Sequence, residues 1–437
     1  MKLNSAIRGL VACLLFVCST CEASIAKVSP SSSKRTLIIY DKKITDLRAY
    51  SDYFENLAQL ELDLEFVSVV NDTKDIELFD KGVKLYSNVV LFPLRSRKIS
   101  KDVTAETLIR FSAAGGNVLA ITSPQSSTEA VRTYLNELGI YPSPKGYQLS
   151  DHFQSRQDGT LQLDEKSIRS NEVISADGNA LLYNGSAALL KNSELLFPVL
   201  RAPKTSFTKS SRDEGEWTTG TQGFLAAGFQ SLKNARAAWV GSESFFSNAF
   251  YEVNAKAVMD ITKWAFLEKG VIRSLGASHS HRDGSTYNEE PYKIKDDIIY
   301  TIGLSEWRDG SWKPFNSDDV QLEIKMIDPY YRVTLNPSNA TEEVQFYTSG
   351  EIKLPDHHGV FSFITDYKRN GYSFVFEKDV KAIRHLANDE YPRSWEISNS
   401  WVYLTSIFAV GLSWMLFVFF YLTSRPKSLA MPEKKMQ

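Results

Sequence analysis

Few residues in this chain have the type and spacing that bond-breaking chemistry needs. The six histidines are His152, His279, His281, His357, His358 and His385. His279-x-His281 followed by Asp283 is a spacing a metal ion accepts, yet it falls in a polar, glycine-bearing stretch that reads as a solvated loop. Asp356-His357-His358-Gly359 reads as a turn between two strands. The acid pairs Asp296-Asp297 and Asp318-Asp319 suit calcium or general acid/base work, but no further oxygen ligands follow at loop spacing, so both read as surface charge. Gly241-Ser242-Glu243-Ser244-Phe245 follows a strand and precedes a helix, as a nucleophile elbow does. The elbow needs a glycine on each side of its serine, and the second is missing, so Ser244 reads as a helix cap. A hydrolase would have to be built from Ser244, His357 or His358.

Other chemistries are narrowed by what is missing. No glycine-rich phosphate loop follows the first strand at Tyr40-Asp41-Lys42-Lys43, and Gly115-Gly116 precedes a strand, the wrong place for a dinucleotide fingerprint. The three cysteines, Cys13, Cys18 and Cys21, all lie in the expected leader. The mature chain then has no thiolate nucleophile, no cysteine metal site and no disulfide, so its domains must rest on large cores. The balance of 50 basic and 52 acidic side chains gives no pull toward nucleic acid. The expected inventory is therefore no catalytic residue, no cofactor and no metal.

What must position the chain is a membrane. Residues 401–422 carry no charge and are long enough to cross the hydrocarbon layer, with Trp401, Tyr403 and Tyr421 at the two ends. Arg425, Lys427, Lys434 and Lys435 follow against one acid, Glu433, which marks that side as cytoplasmic. Lys2 and Arg8 precede a short apolar run and the small residues of 21–24, the order of a secretory signal peptide, here residues 1–23. The expectation is a type I membrane protein with a large lumenal part and a tail at 423–437. Three sequons fall in the lumenal part, at Asn71, Asn184 and Asn339.

The lumenal part divides by periodicity. Short apolar runs at 36–41, 64–69, 88–92 and 117–122 alternate with helical patterns at 47–60, 104–113 and 128–138, and a later helix is expected at 255–267. That alternation predicts an α/β doubly wound domain over residues 30–270. A linker is expected at 271–291. Strict alternation at 320–326 and further short runs with regular turn signals predict a β-sandwich domain over 292–380. A stalk at 381–399 then leads to the transmembrane helix at 400–422. Gly411 and Ser413 are the small residues in that span that would let a neighbouring helix approach.

Trp312-Lys313-Pro314-Phe315-Asn316-Ser317-Asp318-Asp319-Val320-Gln321-Leu322-Glu323, continuing through Met326-Ile327-Asp328-Pro329-Tyr330, resembles the DDOST family. Leu354-Pro355-Asp356-His357-His358-Gly359-Val360-Phe361, Asp389-Glu390-Tyr391-Pro392-Arg393, Gly115-Gly116-Asn117-Val118 and Gly241-Ser242-Glu243-Ser244-Phe245-Phe246-Ser247 extend the likeness over most of the chain. Its layout resembles the fungal members most. The resemblance implies a non-catalytic, single-span subunit of the eukaryotic oligosaccharyltransferase. That complex moves a preassembled oligosaccharide from dolichyl diphosphate to Asn in N-x-Ser/Thr. Implied partners are the other subunits, including the polytopic one that carries catalysis and the metal, and the implied compartment is the endoplasmic reticulum membrane. It also implies an amidotransferase-like fold for the first domain, which without cysteine cannot run that chemistry. Lys434-Lys435-Met436-Gln437 resembles a dilysine retrieval signal. The alternative function is a lumenal module that binds glycan or lipid-linked sugar and presents it to the catalytic subunit.

Overall fold

The computed structural model describes residues 35–69, 76–95, 99–100, 102–126, 128–155, 159–175, 178, 180–210, 215–391 and 399–424. The expected leader, Asn71 and the Lys434-Lys435 pair lie outside the described residues.

The first domain is built on nine strands. Strands β1 (Arg35–Tyr40), β2 (Asp63–Ser68), β3 (Asn88–Leu91), β4 (Asn117–Ile121), β5 (Phe224–Gln230) and β6 (Arg236–Val240) run in the order β2-β1-β3-β4-β6-β5. The pairings from β2 to β6 are parallel; β5 joins antiparallel, as do the short strands beyond it. The inner strands β1, β3, β4 and β6 bury both faces because helices cover both. Helices α1 (Ser51–Ala58) and α4 (Asn248–Ala265) place Tyr53, Leu57, Val258 and Ile261 against Ile38, Val90, Leu119 and Val240. On the other face α2 (Ala105–Ala113) and α3 (Glu129–Leu138) place Leu108, Phe111, Tyr134 and Leu135 against Leu37, Val89, Val118 and Trp239. Neighbouring residues on one strand thus go to opposite cores, the geometry of a doubly wound sheet.

Helix ends follow from local chemistry. Thr104 and Thr107 form a capping box at the start of α2. Gly115 takes φ +82° just beyond its end, and a Cβ on Gly116 would lie 2.3 Å from the Phe111 ring. That pair is structural. In the stretch 139–212, where sequence signals are weak, the described residues form short strands that extend and flank the sheet's antiparallel side.

The second domain holds two antiparallel sheets. One contains β7 (Val271–His281), β8 (Asp297–Arg308), β11 (Asn336–Ala340) and β12 (Gln345–Lys353), with Ser311–Pro314 also paired to β8. The other has the order β10-β9-β13-β14, from β9 (Gln321–Lys325), β10 (Pro329–Thr334), β13 (Gly359–Tyr367) and β14 (Val375–Ile383). Tyr300, Ile302 and Tyr347 from the first share one core with Leu322, Ile324 and Phe363 from the second. Two corrections to the expected layout follow. Half of the stretch expected as a linker is strand β7, paired along its length with β8 across a bulge at Ser274/Ala277. The expected stalk begins inside β14, which runs to Ile383.

Separately, helix α5 (Ser400–Thr423) is apolar all round and long enough by length and composition to cross a membrane. Three of its hydroxyls bond back to the helix: Thr405 donates to the Trp401 carbonyl, Ser406 to that of Val402 and Thr423 to that of Phe419. At about 100° per residue, Ser406, Ala409 and Ser413 share one face, whereas Gly411 points away from them. The two candidate packing residues, Gly411 and Ser413, therefore lie on opposite faces of the helix.

Candidate functional site

The residues singled out for chemistry scatter. His279 and His281 lie in β7, not in a solvated loop. The His279 ring is buried and stacks on Phe363 at 5.1 Å; Nδ1 meets the Tyr292 hydroxyl at 2.6 Å and Nε2 meets Asp379 Oδ2 at 2.8 Å. His281 turns to the Glu290 carbonyl at 2.9 Å, and Asp283 accepts from Ser285. The two imidazoles thus serve separate structural bonds. Among the described residues no group of three or more His, Cys, Asp or Glu side chains could hold a metal ion. Asp296 accepts from the Lys293 amide and Asp319 from Arg369 and Ser317. His357 is exposed beside Tyr330. Ser244 opens a 3₁₀ turn without capping α4; the hydroxyl that accepts from a backbone amide there is Ser242, from Phe245 at 3.2 Å.

One titration follows from this arrangement. Burial raises the Asp379 carboxyl, but its bond to His279 and the nearby Lys381 outweigh that and hold it below the usual range. A lowered folded value stabilises above the unfolded carboxylate's pKa, about 4, and that contribution is lost as pH falls through the folded value. Asp379→Asn should therefore lower the urea midpoint at neutral pH and flatten its fall toward pH 3. An unchanged acid limb would count against the pair.

The structure's own concentration of polar groups is where its two domains meet, and sequence patterns did not reveal it. At the base, the turn between β5 and β6 docks onto the loop before β14. Asn234, buried with φ +64°, donates to the Phe374 carbonyl at 3.0 Å and accepts from its amide at 2.6 Å. Gln230 donates to the Tyr372 carbonyl and Trp264 Nε1 to that of Gly371. Arg236 is 1% exposed. Its guanidinium donates to the Trp264, Lys269 and Gly270 carbonyls at 2.6–2.9 Å and to Gln230, and lies 4.8 Å from the Trp264 ring. Burial lowers it to about 9, so it remains charged at neutral pH.

Above this junction opens a cleft of about 1400 Å³, walled by α1 and α4 on one side and by the end of β8 on the other. Trp307 is half-buried there and donates to Glu268 at 3.0 Å. Glu306 is buried, which raises its carboxyl, and Arg308 binds it at 2.7 Å. The Tyr372 hydroxyl donates to Glu172, and Lys269 is held by Asp260 at 3.0 Å. Amides, carboxylates, lysines and one indole line the space. That mixture suits a polar, hydroxylated ligand or a polar protein surface.

Asn339 is exposed on β11, a free sheet edge, between flanking residues that are also exposed. Asn184 is half-buried and accepts from Gln148 at 3.0 Å, while Gly185 and Ser186 are buried against Gly241.

These features define a class: an α/β domain joined to a two-sheet β domain, followed in sequence by one apolar helix of membrane-spanning length. Two family models match this order, "OST48, N-terminal domain" over residues 27–268 and "OST48 middle domain" over residues 279–425. The chain belongs to the OST48 family. It is 45% identical over 406 residues to the dolichyl-diphosphooligosaccharide–protein glycosyltransferase subunit WBP1 of Saccharomyces cerevisiae, covering 90% of this chain and 92% of that protein. The subunit wbp1 of Schizosaccharomyces pombe is 29% identical, covering 90% and 93%, and the 48 kDa subunit of Drosophila melanogaster 28%, covering 92% and 94%.

Proposed function

We propose that this chain is a non-catalytic, single-span subunit of oligosaccharyltransferase in the endoplasmic reticulum membrane, holding the catalytic subunit and others in an active assembly. The observation that carries this reading is the match to named subunits of that enzyme across both domains and the apolar helix. A junction built from buried side chains that read backbone suits a body whose work is to present fixed surfaces. The scatter of histidines, serines and acids found above agrees with chemistry done elsewhere. An amidotransferase-like fold for the first domain, and retrieval through Lys434 and Lys435, belong to the same reading. Purifying the full chain in mild detergent tests it: a polytopic, catalytically competent partner should come with it. Glycosylation of an acceptor peptide by the chain alone would refute it.

Helix packing gives a sharper check. Gly411→Leu and Ser413→Leu obstruct different faces of α5, so each should deplete a different partner from the detergent complex, by roughly tenfold where about 1.4 kcal/mol of packing is lost. Equal recovery of every partner with both variants would remove the helix from the assembly interface.

A second reading has one observation behind it. The interdomain cleft offers amide and carboxylate partners for hydroxyls and the Trp307 indole for a sugar face. Binding of free oligosaccharide to the detergent-purified chain, lost in Trp307→Ala, would favour a glycan-presenting module; absence of binding leaves assembly alone.

Sequon use follows from the same geometry. The glycan belongs at Asn339, where nothing confines it, and not at Asn184, whose sequon is packed against Gly241. Deglycosylation in heavy-oxygen water followed by peptide mass spectrometry should mark Asn339 and leave Asn184 unmarked; the reverse pattern would reject this assignment.

A further inference from the structure

The four-stranded sheet of the second domain carries an aliphatic tip that its own core does not use. Between β9 and β10 the chain turns through Met326, Ile327 and Asp328, and Ile327 is 86% exposed. Tyr330 and Tyr331 follow it, each about 40% exposed, and Val360 on β13 is 58% exposed. These groups belong to one end of the sheet. Lys325 pairs with Ser362, so the turn overhangs the start of β13, and the Met326 sulfur lies against Gly359. Tyr330 rests its ring on Phe361 at 5.4 Å and on His357 at 5.6 Å, which holds the turn upright. The same end is where the chain leaves the body, because Gly359 pairs with Ile383 and Val360 with Ala382 at the close of β14.

We propose that this hairpin tip docks on a zwitterionic phospholipid surface, with Ile327 and Val360 entering the headgroup layer and Tyr330 and Tyr331 resting at its edge. Three observations select lipid over a protein partner. The apolar part is small, two aliphatic side chains and two half-exposed rings, short of the roughly 800 Å² that a stable protein interface buries on each side. Its composition is that of residues which settle at a membrane boundary, aliphatic at the tip and amphipathic tyrosine behind it. The charged neighbours balance, with Arg332 set against Glu323 at 3.7 Å and Lys295 against Asp356 at 2.7 Å, so no anionic lipid is called for.

Chain length supplies the remaining argument. Residues 384–399 separate Ile383 from the apolar helix, and 16 residues span at most about 55 Å when fully extended. Two aliphatic side chains bind a bilayer weakly by themselves. On a chain already anchored within that reach the second contact becomes intramolecular, and weak apolar insertion is enough to orient the body. The inference rests on α5 spanning a bilayer.

The test uses the full chain with Cys13, Cys18 and Cys21 changed to Ser, reconstituted in phosphatidylcholine vesicles carrying a shallow nitroxide lipid. An environment-sensitive fluorophore is placed at one of three positions, by Ile327→Cys, Val83→Cys or Phe417→Cys. Val83 is another exposed aliphatic residue, 70% exposed, in the other domain, and Phe417 lies within α5. The expected result is at least twofold stronger quenching at 327 than at 83, unchanged in 1 M NaCl and abolished by Val360→Asp. Quenching at 417 with none at 327 overturns the docking while leaving the span intact. A probe at 417 that escapes even deep nitroxide lipid overturns both. Equal quenching at 327 and 83 shows non-specific adsorption and overturns the proposal, as does shielding of 327 only when other membrane subunits are added.

Discussion

Replacing Arg236 by Met should destabilise the folded body more than any other single substitution of a charged side chain in it. The guanidinium satisfies three backbone carbonyls and the Gln230 side chain in a place with no room for water, since Arg236 is 1% exposed and Trp264 beneath it is fully buried. Without the guanidinium Gly270 O keeps the Ser373 amide and Trp264 O that of Leu267, but Lys269 O and Gln230 Oε1 lose their donor at about 1–3 kcal/mol each, and Met refills most of the volume but none of the bonds. The expected loss is about 4 kcal/mol, partly relieved if the chain around Lys269 swings out to water. Arg236→Lys keeps the charge and offers donors from a single nitrogen, so it should recover less than half of that loss. Thermal unfolding of the detergent-purified chain measures both. A drop under about 1 kcal/mol for Arg236→Met would mean that the carbonyls find other partners and that the junction is softer than its geometry indicates.

No carboxylate stands opposite this arginine in its bonds, and that explains why the residue was invisible in the sequence. A buried arginine announces itself through a paired acid or a motif; one that binds carbonyls of residues 264, 269 and 270 is recognisable only when the chain has folded. The same holds for Asn234 and Phe374, which are 140 positions apart. Elements read well where one local rule decides them. Thr36 to Tyr40 and Asn117 to Ile121 are apolar runs covered by helices on both sides, the α2 start follows from Thr104, and the α3 end follows from Gly139 in the left-handed region. Reading failed where two signals collided. Ser278-His279-Ser280-His281 looks like loop by composition, yet it is strand because His279 finds Tyr292 and Asp379 inside the domain. Strand β8 does carry its signal, Ile298, Tyr300, Ile302 and Leu304 at every second position, but Ile299 between them blurs the alternation. The cleft lay beyond reach for a simpler reason: its walls come from five separate parts of the chain.

The family resemblance and the bottom-up reading converge on different evidence. Motifs spread from Gly115 to Arg393 pointed to a subunit of a larger enzyme, and the matches to OST48 proteins agree along the chain's length. The chain's α/β and β domains meet through fixed backbone-reading bonds, so a partner bound to one is positioned relative to a partner bound to the other. At that junction Gly270 is the residue with least room for a side chain.

Gly270→Val should open the junction without unfolding either domain. Gly270 has φ +67°, a conformation that costs a β-branched residue heavily, and a Cβ there would stand 2.4 Å from the Gly371 carbonyl oxygen. Neither strain can be relieved locally. Gly270 O accepts from Arg236 and from the Ser373 amide, and Gly371 O accepts from Trp264. Moving the 371 loop away breaks the Trp264 bond and then the Asn234–Phe374 pair; moving residue 270 breaks the Arg236 bonds. Either route costs about 3–5 kcal/mol, all of it at the contact between domains. The two cores themselves, around Val258 and Trp239 on one side and Tyr300 and Phe363 on the other, do not include this residue. The expected result is new protease sensitivity confined to residues 266–271, two resistant fragments, and a loss of partners from the detergent complex although each domain keeps its near-ultraviolet circular dichroism. Gly270→Ala, which adds the same clash with less bulk, should fall between. If Gly270→Val instead melts the whole body in one transition, the domains are a single cooperative unit, and the positioning role assigned to their junction fails with it.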